Sequence, residues 1–256
     1  MKIAGKNIVI TGGASGIGKA LAERFHAEGA KSITVADLSK GPLEEVAKSV
    51  NGLAVVCNVA SEADIQNLIF KAEQAYGDID IFVSNAGLAR YGWEETANET
   101  WQLNWDVHVM AHVYAARVLA PKMAARGEGY LVNTASAAGL LSQIDSATYA
   151  VTKHAAIAFA ETMSIRYGDK GVRVSVLCPQ QVRTGMTEGR LDAVASVDGT
   201  LEPEELADCV VDTMDKEEFL ILPHPQVREY MQRKTADYDR WLKGMRKLRD
   251  RFLGTN

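Results

Sequence analysis

The sequence predicts a doubly wound α/β fold, a parallel seven-stranded sheet covered by helices on both faces. Three observations carry that prediction. Short β-branched runs alternate with amphipathic stretches, several runs are apolar almost throughout, and the alternation continues over most of the 256 residues. The first run is 7–11, followed by a helical stretch over 16–28. Runs at 32–36 and 53–57 come next, then a helix over 63–76. The run at 79–84 precedes a helical stretch over 99–125, and the run at 130–134 precedes one over 147–167. Runs at 172–178 and 219–222 flank a last core helix over 203–214. Strands separated by helices of this length pair in parallel through right-handed crossovers.

Composition bounds the function. Apolar residues at 47% and charged residues at 24% are the balance of a water-soluble globular chain. A net charge of −5 argues against binding to a phosphate backbone, which needs concentrated Lys and Arg, so no nucleic-acid partner is expected. No stretch reaches the ~18 apolar residues of a membrane span. The opening residues lack the pattern of a secretory leader, so a cytoplasmic protein with no membrane partner is expected. Cys57, Cys178 and Cys209 are widely spaced and read as buried free thiols, with neither a disulfide framework nor a metal site expected.

Residues 185–202 lose periodicity and collect Gly, Thr, Ser and Asp, the mark of a long functional loop. Residues 226–251 place Val227, Tyr230, Met231, Tyr238, Trp241, Leu242, Met245 and Leu248 at helical spacing, with nine Lys or Arg against four acids around them. The expected organisation is a domain over 1–225 that includes the loop, and an amphipathic helix over 226–256. That helix packs on its own domain or on a neighbouring subunit, and a homo-oligomer, dimer or tetramer, is expected.

The first strand runs into Thr11-Gly12-Gly13-Ala14-Ser15-Gly16-Ile17-Gly18 and then a helix. Glycines there let the backbone turn tightly and approach a pyrophosphate, while the helix N-terminus offers free N–H groups and a partial positive charge. Asp37 stands nineteen residues past Gly18, at the end of the second strand. A carboxylate there accepts from adenosine ribose hydroxyls and repels a ribose phosphate. Ser15 and Leu38 supply no compensating cation, so the dinucleotide expected is NAD rather than NADP.

Tyr149 and Lys153 stand four apart in a predicted helix, on one face and one turn apart. A phenol titrating near ~10 is a poor base at neutral pH, and an adjacent ammonium favours the phenolate. Ser136, thirteen residues before Tyr149 and just past a strand end, supplies a hydroxyl for a substrate oxygen.

With these motifs in order, the chain resembles the short-chain dehydrogenase/reductase family over about residues 5–190. The resemblance rests on Thr11 to Gly18, Asp37, Asn58-Val59, Asn85-Ala86-Gly87, Ser136, Tyr149 with Lys153, and Pro179 followed by Val182 and Thr184. It implies a Rossmann fold and hydride transfer between NAD and a secondary alcohol or ketone. It further implies Tyr149 as general acid/base, Ser136 holding the substrate oxygen, and Lys153 binding the nicotinamide ribose while lowering the pKa of Tyr149. Asn58 would face the adenine, Asn85 to Gly87 would back the cofactor, and Thr184 would hold the carboxamide. Gly12, Ser15, Gly16, Ile17, Gly18, Leu38, Val59, Pro179 and Val182 complete the expected cofactor contacts.

The chain departs from the family pattern at three places. Thirteen residues before Pro121, where the family carries an Asn that holds a relay water, stands His108. Imidazole could take over the relay, or His108 could be a hydrogen-bonded interior residue; both readings stay open. His112 lies one turn on, but no third ligand completes a metal site. Gln180-Gln181 follow Pro179 where relatives commonly have Gly, and the end of the chain lacks a glycine-rich last strand. The pocket is expected at the carboxyl ends of the strands, walled by Leu88, Tyr91, Trp93, Leu140, Gln143, Ile144, Gln180, Gln181 and the loop after Thr184. Its small-molecule substrate would have an apolar body. Two rival readings are a dehydratase or epimerase that uses the nicotinamide transiently, and a nucleotide-sensing protein without turnover.

Overall fold

The computed structural model describes residues 1–189 and 193–254. Seven strands, β1 (Asn7–Thr11), β2 (Ser32–Asp37), β3 (Leu53–Val56), β4 (Ile81–Ser84), β5 (Gly129–Thr134), β6 (Val172–Leu177) and β7 (Leu220–Ile221), form one sheet in the order β3-β2-β1-β4-β5-β6-β7. Every pairing is parallel. The order reverses between β1 and β4, which leaves a crevice at their carboxyl ends.

Side chains alternate across the sheet because the strand period is two. Val9, Phe82, Leu131 and Val174 point to one face, where they meet α3 (Glu62–Tyr76), α5 (Ala111–Arg126) and α7 (Ala147–Tyr167). Ile8, Ile10, Ile81, Val83 and Val132 point to the other, covered by α1 (Gly16–Ala27), α2 (Lys40–Ser49) and α8 (Pro203–Asp215). Two apolar layers, one per face, make the strands read as continuous hydrophobic runs.

The structure differs from the sequence-based expectation in four places. Helix α2 goes unread in the sequence, although Leu43, Val46 and Ala47 bury a short stripe there. The stretch read as one helix over 99–125 is α4 (Asn98–Trp105) joined to α5 through a π-helical segment, Asp106–Met110. A four-residue helix, α6 (Ala138–Leu141), follows β5. The C-terminal stretch is two helices, α9 (Gln226–Ala236) and α10 (Tyr238–Leu253), because Asp237 is extended at ψ 98° and its side chain accepts from the Arg240 N–H at 2.9 Å. That cap starts a new helix instead of continuing the old one.

The loop read over 185–202 carries two short 3₁₀ turns, Gly185–Thr187 and Val194–Ser196, while its residues 190–192 lie outside the described residues. Cys57 and Cys178 are buried free thiols; Cys209 is only half-buried, on α8. No helix among the described residues is long and apolar enough to cross a membrane.

Candidate active site

Thr11 joins the two halves of the sheet at the crevice. Its hydroxyl accepts from the Asn85 N–H at 2.9 Å and the Ala86 N–H at 3.1 Å, and its carbonyl accepts from the Asn85 amide at 3.1 Å. The glycine turn packs directly on that segment. A Cβ on Gly12, whose φ is +67°, would lie 2.8 Å from Ala86 Cα, and one on Gly18 would lie 2.0 Å from the Gly12 carbonyl oxygen. Only hydrogen fits at either position. Helix α1 then opens with no side-chain cap on its first turn, so its N–H groups remain available at the crevice. Asp37, at the end of β2, accepts from the Ala14 N–H at 3.2 Å and the Ser39 N–H at 3.1 Å, which orients its carboxylate beside the turn.

The N-terminus of α7 is tied to the loop after β4. The Ser146 hydroxyl accepts from the Tyr149 N–H and the Gly92 N–H, each at 3.2 Å, and the Thr148 hydroxyl donates to the Arg90 carbonyl at 2.9 Å. These bonds set the first turn of α7, and with it Tyr149. Tyr149 and Ser136 line the same cavity, and the Tyr149 ring stands 5.6 Å from that of Tyr91. Lys153, one turn on, is buried; its ammonium donates to the Thr134 carbonyl at 3.2 Å and lies 5.5 Å from the Tyr149 ring centre.

Burial governs the ionisation of both groups. Desolvation pushes the Tyr149 phenol well above its ordinary value, with Tyr91 adding to the rise and the Ser136 side chain opposing it. Desolvation lowers Lys153 to about 8.

One cavity of about 1210 Å³ gathers these groups. Of the expected cofactor contacts, Gly12, Ser15 to Gly18, Asp37, Asn85 to Gly87, Tyr149, Lys153, Pro179, Val182 and Thr184 line it. Ser136 lines it too, as do Leu88, Tyr91, Gln143, Ile144, Gln180 and Gln181 from the expected substrate wall.

Six expected residues fall outside the lining. Leu38 points to solvent at 67% exposure. Asn58 and Val59 follow Cys57, whose N–H donates to the Asp37 carbonyl at 3.0 Å; Asn58 is engaged with Asp64 and Ala60, and Val59 is buried in the core. Trp93 is exposed, and Leu140 packs behind the wall, where its carbonyl accepts from Lys234 at 2.7 Å. His108 is the sixth. The π-helical segment turns it inward, its Nδ1 lies 3.0 Å from the Thr152 hydroxyl, and its Nε2 lies 3.3 Å from the Leu88 N–H and 3.1 Å from the Leu88 carbonyl. Burial, with Lys153 nearby, lowers its pKa to about 2, so the ring is neutral and occupied at both nitrogens. That is the geometry of a hydrogen-bonded interior residue set edge-on against the Tyr149 ring at 5.4 Å.

Sequence reasoning missed a whole wall. Tyr230 and Arg233 of α9, and Arg240, Trp241, Met245 and Leu248 of α10, line the same cavity. Their helical spacing was legible, but its direction was not.

A parallel sheet with a glycine turn at its switch point and a Ser, Tyr and Lys cluster in the adjoining cavity defines a Rossmann-type class. The chain belongs to the short-chain dehydrogenase/reductase family, whose short chain dehydrogenase pattern matches residues 6–194. It is 31% identical over 218 residues to meso-2,3-butanediol dehydrogenase of Serratia marcescens, covering 81% of this chain and 86% of that one. A short-chain dehydrogenase/reductase of Burkholderia phymatum, solved with NAD, superposes with a TM-score of 0.85 at 28% identity over 93% of this chain and 96% of that one. L-sorbose reductase of Gluconobacter frateurii, solved with NADPH and L-sorbose, gives 0.77 at 30% identity over 87% and 95%. The protein is thus an oxidoreductase of a family that acts on alcohols and ketones and binds nicotinamide cofactors.

Proposed function

We propose that the protein is an NAD-dependent dehydrogenase or reductase that exchanges a hydride with a secondary alcohol or ketone, with Tyr149 as general acid/base. The observation that carries this reading is that Ser136, Tyr149 and Lys153 line one cavity together with the glycine turn.

The cofactor reading is supported by the fit of the cradle. Gly12 and Gly18 of the turn leave no room for a side chain, and the first turn of α1 has N–H groups free for a pyrophosphate. The Asp37 carboxylate favours ribose hydroxyls and repels a ribose phosphate, which supports NAD over NADP. The nicotinamide, when bound, supplies the site that gives or takes the hydride. Lys153 would hold its ribose, and Thr184, which lies against Gly16, would hold the carboxamide.

Ser136 and Tyr149 present two hydroxyls to one substrate oxygen. In ketone reduction Tyr149 donates its proton to that oxygen; in alcohol oxidation it takes the hydroxyl proton. Because burial raises the phenol, its proton-donating form prevails at neutral pH, and the proton-accepting form grows as pH rises. Alcohol oxidation should therefore climb toward alkaline pH while ketone reduction falls there, read as initial rates in the two directions. Tyr149→Phe should lower kcat by about 10²- to 10⁴-fold while Tm is kept. Retention of activity by that variant would refute the assignment. Stoichiometric NADH formation from a secondary alcohol separates this reading from a dehydratase or epimerase.

Exposed apolar side chains on two helices that touch each other, Leu103 and Trp105 on α4 with Val151 and Ile165 on α7, support a homo-oligomer.

A further inference from the structure

The cavity wall formed by α10 has a chemistry of its own. Gly244, Met245 and Leu248 follow Trp241 at i+3, i+4 and i+7, so one stripe of the helix faces the cavity. No residue of α10 is buried, and beyond Trp241, which packs on the small cluster of Leu141 and Val227, this stripe has the cavity as its main neighbour. Gly244 sits in the middle of it. Glycine inside a helix is destabilising relative to alanine, and no atom lies within 4 Å of where its Cβ would be. Packing does not require glycine there; it leaves space open beneath the helix.

The charges at this wall are unbalanced. The Arg233 guanidinium is paired with Glu229, and the Asp237 carboxylate caps α10. Arg240 lines the cavity, and among the described residues its guanidinium has no ion-pair or hydrogen-bond partner. Beside it, the Trp241 indole N–H is shielded from solvent without an acceptor. Two donors, one of them cationic, thus line a cavity that also carries the apolar side chains of Leu141, Ile144 and Val194.

We propose that the substrate is an elongated, mainly apolar alcohol or ketone that also carries a carboxylate, lying under α10 at Gly244 with its charged end at Arg240. The Arg240 guanidinium and the Trp241 indole N–H both donate to that carboxylate, and the apolar stripe of α10 covers the chain. The inference rests on the alcohol–ketone reading of the site. An anionic group could also come from a cofactor phosphate, and the test separates the two.

Octanoate and octanamide, equal in chain length and differing in charge, are titrated into the full-length protein with NAD, with Trp fluorescence or heat as the readout. Octanoate should bind at least about tenfold more tightly. Arg240→Ala should bring the ratio near one, and Arg240→Lys should restore part of it. Gly244→Leu should weaken octanoate without changing NAD affinity. Equal binding of the two probes to the native protein overturns the proposal, as does a ratio that Arg240→Ala leaves intact. Loss of NAD affinity in Arg240→Ala with the ratio unchanged assigns the arginine to a cofactor phosphate instead, and also overturns it. The binding readout needs no turnover. Octanoate preference in a protein whose Tyr149→Phe variant keeps full turnover would therefore sink the Tyr149 chemistry and leave the anion site standing.

Discussion

His108 and His112 are both buried and both titrate far below the ordinary value, to about 2 and about 3, because burial and the nearby Lys153 disfavour the imidazolium. Nδ1 of His112 lies 2.7 Å from the Ser84 hydroxyl. The folded protein keeps both rings neutral, whereas the unfolded chain takes up protons near 6.5. Below that pH the unfolded state binds more protons, so stability falls as pH falls, by about 1.4 kcal/mol per pH unit for each ring. The loss runs on down to the folded pKa values. Replacing His112 with Gln, which keeps a side chain able to bond Ser84, should flatten the dependence of Tm on acid pH by one ring's share. An unchanged slope would mean that His112 is not held neutral. The two readings of His108 that the sequence left open differ in where the ring nitrogens point, and that is a matter of tertiary contact with Thr152 and Leu88.

At the scale of elements, the active-site groups depend on how α6 lies against α7. A Cβ on Gly139 would sit 2.5 Å from the Lys153 carbonyl oxygen and 2.7 Å from Ile157 Cδ1. Gly139→Ala must therefore push α6 away from the helix that carries Tyr149 and Lys153. The expected cost is about 1–3 kcal/mol in denaturant unfolding, accompanied by reduced turnover. A variant of native stability would show that α6 can shift freely. The π-helical segment between α4 and α5 is a second such device, since one wider turn aims His108 at Thr152 instead of along the regular helix face. Apolar periodicity marked 99–125 as helical, but it carries no information about which carbonyl each N–H selects. Helix α2 escaped notice for a different reason. It holds Gly41 and Pro42, types common in turns, in its first turn, and its buried stripe is short.

The whole molecule is a two-faced sheet with a large cavity at its switch point, closed on one side by a helix that packs mainly on its immediate neighbour. Contacts of α10 are chiefly with α9, and Trp241 joins the small cluster around Leu141 and Val227. Ending the chain at Ala236 should therefore leave the sheet folded, with Tm lower by only a few degrees, roughly the effect of 1–2 kcal/mol at this size. KM for the alcohol should rise at least about tenfold, since a pocket that buries less of its ligand binds it less well. If the shortened chain failed to fold, α10 would be part of the scaffold rather than a wall of the site.

Period-two and period-3.6 apolar patterns sufficed to determine the parallel sheet, because strands covered on both faces and helices covered on one must bury those residues to fold. The glycine turn, Asp37, Ser136, Tyr149 and Lys153 were legible for a similar reason: each occupies a set distance along the chain from a strand end. Tertiary structure alone decided that the C-terminal stripe faces the cavity, that Trp93 and Leu140 do not, and how strongly burial raises the Tyr149 phenol. Those outcomes depend on which surfaces meet and how much water they exclude, quantities summed over residues far apart in the chain.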